Sequence, residues 1–565
     1  MASLNKFSGV LGRDRAAHLL RRATFGPTRQ EIDQFSSLTV DQAMILLLDD
    51  SAESPLPPVD PTTGSTWVDP AGVSHAHPDR EQDELFTYFQ SWHMDVMRQA
   101  PLTLKERLSW FYHTHLPARW TEIQSSEAIY YQNALFRFYA YGSFKELFKK
   151  ICVDNAMLRY LDGYSNRYRS PNENFAREMF ELYSIGKGVQ QSDGDYTNYT
   201  EDDIREATRV LTGWMMDESY SNLDADTGLP IGKMRISTIG AGAEAVDVAV
   251  EHDPGVKIFT DKFGAKSIEP AESAGGYPTV ESAYAELDEM IEMIFEQEET
   301  GRFIARKLYR FFVYHFITEE AENDIIGPLA QILIDNEYSI IEALKVLLAS
   351  DHFFDNDDAV KENDNMGALI KSPVDLFCGL FRSFGIDFPD RNSNPASFYT
   401  NMSWVVDRLV DQGLNFYEPF EVAGYPAYHQ IPGYNRNWIT TYALAHRYQS
   451  GDLLMEPPGG ENPLSIYLDM LAWLENSGDV SDPTDAAEIT QVLIDNLMAV
   501  KLTQERIDYF LYTVFLDYPE DHTYALGLWR QEWNAYQGSS NDETVRMLLN
   551  RLLSKLIQTP EFQLY

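Results

Sequence analysis

Cysteine is nearly absent: Cys152 and Cys378 are the only two in 565 residues. A disulfide scaffold and any zinc site built from CxxC pairs therefore drop out, and both thiols sit in apolar helical contexts that suit reduced core residues. Basic residues are also few, with 45 Lys and Arg against 87 Asp and Glu and a net charge of −42. A surface of that sign repels phosphate backbones, and no Lys/Arg cluster offsets it, which argues against nucleic-acid binding. Two explanations of the acidity stay open: solubility in a saline medium, or a surface that collects divalent cations. No stretch approaches the roughly 18 uninterrupted apolar residues of a membrane span. The N-terminal MASLNKFSGVLGRDRAAHLL has no apolar run of signal-peptide length, so a soluble, cytoplasmic protein is expected. The GxGxxG, P-loop, GxSxG and HExxH patterns are missing, which removes the familiar nucleotide, hydrolase-elbow and zincin readings. No ExxH pair occurs either, so a ferritin-like di-iron site lacks its ligands.

What remains is a long chain rich in apolar (44%) and aromatic (13%) residues, arranged mostly at helical spacing. The expected architecture is mainly α: one large helical domain over residues 1–565. It is interrupted by a Pro/Ser/Thr/Gly-rich loop at 51–79, a small β-rich insertion at 219–270 and an acidic loop at 351–365. The β expectation rests on MRISTIG, AVDVAV and VKIF, which alternate β-formers with Gly and Asp. His75 and His77 in the first loop are an HxH pair, too few donors for a strong metal site. Asn222, Asp224 and Asp226 resemble the opening of a calcium loop, but Gly228 falls one place late and no Glu closes it. GRFIARKLYRFFVYHF is among the strongest apolar patterns, with Arg302, Arg306 and Arg310 on one face. Residues 416–438 read as a loop crowded with Tyr, His, Trp, Pro and Gly, the kind of segment that lines sites.

The chain is organised around Pro171 to Trp214. At about 100° per residue, Phe175, Met179 and Leu182 form an apolar seam, and Asn174, Glu178 and Glu181 run beside it. Carboxylates that border a core need a partner; Arg177 is placed to meet Glu173 or Glu181 at i,i+4. A second helix opens at Thr200 with Asp203 three residues on, close to a capping box, and its buried stripe is Ile204, Leu211 and Met215, with Ala207 and Thr208 between. Further upstream, Thr103 and Glu106 also read as a capping box. In the helix that follows, His113 and His115 point about 200° apart and share a metal only if the helix ends near His113.

PNENFARE..EL...G followed by YTE.D..EA.R.LTGW resembles the signature of the bacterial DUF1800 family. HLLRRATFGPT, ERLSWFYHTH, AMLRYLDG, EHDPGVKIF, KSPVDL, EVAGY...NRNWITT and LLSKLIQTPEFQ fit in order, so the resemblance spans nearly the whole chain. It implies a helical protein, frequently exported in relatives, so export by another route stays open, and a DUF1501-like partner resembling sulfatases and alkaline phosphatases. It implies no chemistry. Three functions are compatible with the residues. The first is a metal-assisted or carboxylate-based hydrolase gathering His113, His115, Asn174, Arg177, Glu178, Glu181 and His252, with one divalent metal ion on His113, His115, Glu178 and Glu181. The second is a non-catalytic scaffold in which the same groups form a buried polar network. The third is a calcium-binding acidic protein.

Overall fold

A segment that mixes charge, aromatics and histidine without a clean polar face is stable as a helix only when its surroundings satisfy each group, and KERLSWFYHTH is such a segment. In the computed structural model, which describes residues 2–68, 81–242, 245–357, 364–459, 464–539 and 541–565, the Lys105–His115 helix is buried at every position from Glu106 onward. Helices Gln82–Arg98 and Ser126–Phe138 pack on it. Helix Pro373–Ser383 reaches it through an ion pair. Ionised groups so enclosed are tolerated only when paired. Arg137 forks onto both oxygens of Glu106 at 2.6 and 2.9 Å. Arg107 donates to Asp375 at 2.6 Å, to the Tyr565 hydroxyl at 3.0 Å and to the Arg22 carbonyl at 3.1 Å. Because Glu106 is committed to Arg137, it does not close a capping box with Thr103; the N-cap is Leu104, with no side-chain cap bond.

The first central helix differs from the expected regular stripe. Asn174–Glu178 is α-helical and passes into a π-helical turn, Met179–Ser184. The wider turn changes which side chains face inward. The buried set is Phe175, Ala176, Met179, Phe180, Tyr183 and Ser184, and Leu182 is left partly exposed. The second helix follows its sequence signals: Thr200 and Asp203 form a full capping box at the start of Glu201–Val210, and Ile204, Ala207, Thr208 and Leu211 are buried. Arg177 ties the two helices together. It reaches Glu201 at 2.6 and 2.7 Å and Glu173 at 2.9 Å, while Glu181 turns elsewhere.

Strands fall where the Gly- and Asp-rich stretch alternates with β-formers, as separate antiparallel ribbons instead of one sheet. Trp214–Met215 pairs with Lys233–Met234, and Ile236–Ile239 with Val246–Ala249, Ile236 opposite Ala249. Lys257–Ile258 pairs with Ser267–Ile268, and Ser273–Ala274 with Tyr277–Pro278. Another ribbon, Gln190–Ser192 with Asp195–Tyr196, sits between the central helices. The calcium-loop resemblance resolves into a lysine clamp: Asp224 and Asp226 each take Lys150 Nζ at 2.6 Å, and the Asn222 amide donates to the Gly232 carbonyl. In the acidic loop, Asp357 holds His352 at 2.8 Å and Asp355 accepts the amides of Asn365 and Met366. His75 and His77 lie outside the described residues. Cys152 and Cys378 are buried free thiols.

Buried apolar side chains from Phe7 to Phe562 form one continuous cluster. Among the described residues, no helix is long and apolar enough to cross a membrane. The Arg107–Asp375 pair joins two distant parts of the chain inside that cluster, with side chains only 2% and 7% exposed. Replacing Asp375 by Ala leaves a buried guanidinium uncompensated, and a stability loss of about 3–5 kcal/mol is expected, to be read by chemical denaturation against the parent chain.

Candidate functional site

The side chains singled out from the sequence separate into four places. His113 enters an aromatic nest: its ring lies 4.1 Å from that of Tyr417, and Nε2 is 2.9 Å from the Tyr425 hydroxyl. Burial lowers its pKa to about 3, so the imidazole is neutral at pH 7. The helix continues unbroken through His115, which therefore faces away from His113. His115 Nε2 donates to the Tyr183 carbonyl at 3.0 Å. Glu178 and Glu181 sit on the central helix. Glu181 accepts Lys187 Nζ at 2.7 Å and the Tyr199 hydroxyl at 3.4 Å. Glu178 is half-buried, and burial, followed by the neighbouring Glu181, raises its carboxyl. The Asn174 amide is used locally, on the Leu161 carbonyl at 3.3 Å. His252 lies elsewhere again, fully buried, with Nδ1 2.9 Å from the Thr212 carbonyl and Nε2 3.4 Å from Glu286, which also binds Lys257.

A metal ion shared by His113, His115, Glu178 and Glu181 needs these donors around one point. The two histidines diverge, and among the described residues no three or more His, Cys, Asp or Glu side chains converge on a position that could hold a metal.

What does converge is a set of cations and aromatic rings. A narrow cavity of about 40 Å³, open at its mouth, lies between the end of the Lys105–His115 helix, the Glu298–Phe312 helix and the 427–438 segment. Phe111, Phe311, Tyr428, Tyr434 and Trp438 supply apolar walls, and His115, Lys307, Arg310, His315, His429 and Asn435 supply the polar groups. Among the described residues no Asp or Glu lines it, in a chain whose acids outnumber its bases almost two to one. The wall is fixed from behind by helix Lys105–His115. Trp110 Nε1 donates to the Tyr428 hydroxyl at 3.1 Å, and His113 holds Tyr425, whose hydroxyl also bridges Asn415 and Tyr417. Gly424 makes this approach possible: its φ is +104°, and a Cβ there would lie 3.0 Å from the Thr114 carbonyl. Any other residue would be strained at that φ and crowded by backbone.

The cavity gathers cationic and donor groups that lack protein partners among the described residues. Arg310 stacks over Tyr434 at 5.4 Å, and its Nε is buried without a partner. Asn435 Nδ2 is likewise buried and unpartnered. Lys307 lies 5.2 Å from the Phe303 ring centre and has no carboxylate partner among the described residues. Burial, and then Arg310, lower its pKa to about 8. Burial also lowers His115, His315 and His429. Since His115 Nε2 gives its proton to Tyr183, the neutral ring leaves Nδ1, which has no protein partner, as a lone pair. Unpaired buried donors and cations are costly, and a bound anion would satisfy them.

Sequence reasoning reached one face of this cavity and missed another. The aromatic 416–438 segment lines it, and so does His115. Lys307, His315, His429 and Asn435 were not singled out. The usable signal was a lysine and an arginine inside the strongest apolar pattern. Arg302 and Arg306 on the same helix find Glu298, Glu299 and Glu322; Arg310 makes no ion pair among the described residues.

A lysine whose folded pKa lies below its free value destabilises the fold while protonated. That cost is fully present below about pH 8, fades as the folded amine deprotonates, and is gone above roughly pH 10.4, where the unfolded chain loses the proton too. Lys307→Met is therefore expected to melt higher than the parent at pH 7, with the advantage shrinking steadily between pH 8 and 10.4 in thermal unfolding.

Comparison with known proteins agrees with the order of motifs along the chain. The family model described as "Protein of unknown function (DUF1800)" matches residues 18–564. No curated protein and no solved structure matches. With nearly its whole length covered by that model, the chain belongs to the DUF1800 family.

Proposed function

We propose that this chain binds a small anionic ligand, a carboxylate or an oxyanion ester, in the cavity bounded by His115, Lys307 and Arg310. The observation that carries this reading is the coincidence, among the described residues, of two cations without an ion-paired carboxylate and a wall free of Asp and Glu. Arg310 presents a planar fork suited to carboxylates, phosphates or sulfates. Phe111, Phe311, Tyr428 and Trp438 would cover the apolar part of the ligand, and the low local dielectric strengthens each charged contact. His115, neutral and with a free lone pair, is placed to take a proton from the ligand.

A second reading keeps Glu178 as the general acid of a hydrolase. Its carboxyl is half-buried, raised by burial and by Glu181, and has no hydrogen-bond partner among the described residues. Its expected companion, Glu181, is already engaged by Lys187 and Tyr199, so the cavity reading stands first. The DUF1501-like partner that the resemblance implies, itself similar to sulfatases and alkaline phosphatases, would handle esters of the same oxyanions.

Titration of the chain with sulfate, phosphate and pyruvate, at ionic strength held constant with chloride, tests the proposal. Saturable stabilisation in thermal unfolding is expected, weakened at least about tenfold in affinity by Arg310→Ala, the equivalent of about 1.4 kcal/mol. A chain that responds to these anions only as it does to chloride would overturn it.

A further inference from the structure

The lysines of this acidic chain are almost all spoken for. Among the described residues, Lys6, Lys105, Lys145, Lys149, Lys150, Lys187, Lys233, Lys257, Lys262, Lys266, Lys345 and Lys501 pair with carboxylates. Lys555 bonds Gln558, and Lys371 lies 3.9 Å over Phe562, with the Leu497 carbonyl 3.4 Å away. Lys307 alone combines the lack of a carboxylate partner with a place on the wall of the aromatic cavity. One turn along the same helix face stands Arg310, and from the facing elements His115 and His429 lie within electrostatic reach of its amine. A cation held by a second cation in apolar surroundings is the arrangement that turns a lysine into a nucleophile at moderate pH.

We infer that Lys307 forms an imine with the carbonyl carbon of a small oxo acid whose carboxylate is held by Arg310. The inference rests on the anion-binding reading and names its ligand class. The Lys307 Nζ lone pair forms the new C–N bond as the carbonyl π pair moves to oxygen. The resulting carbinolamine loses its hydroxyl as water, taking up one proton, while nitrogen gives up its own. No oxidant or reductant is needed. The lone pair on His115 Nδ1 is the nearby group available to carry the proton from nitrogen. The fraction of Lys307 in the neutral form at pH 7 to 8 follows from its lowered pKa, about 8.

The experiment is reductive trapping. The full chain is incubated with pyruvate and borohydride, and the adduct is located by peptide mass mapping, beside Lys307→Arg and Lys555→Arg variants and a parallel sulfate titration. Expected are a single reduced adduct on Lys307, formed faster from pH 7 to pH 9 and suppressed by excess sulfate. It should be lost in Lys307→Arg and unchanged in Lys555→Arg. An adduct spread over surface lysines, or none, in a chain that binds sulfate would overturn the imine and leave the anion-binding reading standing. A chain that binds neither sulfate nor pyruvate would overturn both.

Discussion

A helix enclosed on every side gives its polar side chains no route to water, so each must be met by some other part of the protein. Lys105–His115 imposes that condition on the chain around it. Glu106 fixes Arg137, Arg107 fixes Asp375 and Tyr565, Trp110 fixes Tyr428, His113 fixes Tyr425, and His115 fixes the Tyr183 carbonyl. These partners come from positions scattered between Arg137 and Tyr565. Their positions follow from hydrogen-bond satisfaction as much as from apolar packing, because an unmet donor or acceptor at such depth costs about 1–3 kcal/mol. The aromatic segment after Asn415 is loop interrupted by short helical turns at Pro426–His429 and Tyr434–Ile439, and helix Lys105–His115 holds it through Tyr425 and Tyr428.

The histidines therefore act as struts as well as chemistry. His113 is neutral, fully buried and committed to Tyr425. Its contribution to a ligand site is to place the wall that Tyr428 and its neighbours form. His115 does both jobs, because one nitrogen is tied to Tyr183 and the other is left free. A metal-centred reading of His113 and His115 needs both rings as donors to one point. The continuous helix forbids it, since residues two apart on a helix face nearly opposite directions.

How much was legible in the sequence depended on whether a feature was local. The Thr200 capping box, the free buried cysteines and the ribbons at 233–258 were local, and the structure contains each of them. Thr103 and Glu106 carried the same capping spacing, yet Arg137, 31 residues away, claimed the carboxylate; a tertiary ion pair outcompeted a backbone cap. The π turn at Met179–Ser184 was invisible to a stripe drawn at a fixed angle, and it exchanged Leu182 for Phe180 and Tyr183 in the core. The cavity was half legible. An aromatic loop advertises itself by composition, but a lysine with no carboxylate partner is recognised only when every neighbour is known.

The family-like stretch around Glu178 still bears on the cavity, though through its backbone and not its carboxylates. The last carbonyls of a helix have no partner within it, and the π turn ends at Ser184. The Tyr183 carbonyl is thereby free to accept the His115 Nε2 proton, while the Tyr183 hydroxyl donates to the Val422 carbonyl at 3.1 Å. One residue thus sets the tautomer of His115 and anchors the loop that leads into the cavity wall. Gly186 follows at φ +73°, where a Cβ would come within 2.9 Å of the Phe303 ring. That ring in turn lies beneath Lys307 and beside His115. A side chain at 186 would push Phe303, and with it the apolar floor that desolvates the lysine. The glycine and the tyrosine of this helix end therefore bear on the His115 tautomer and on the apolar contact beneath Lys307.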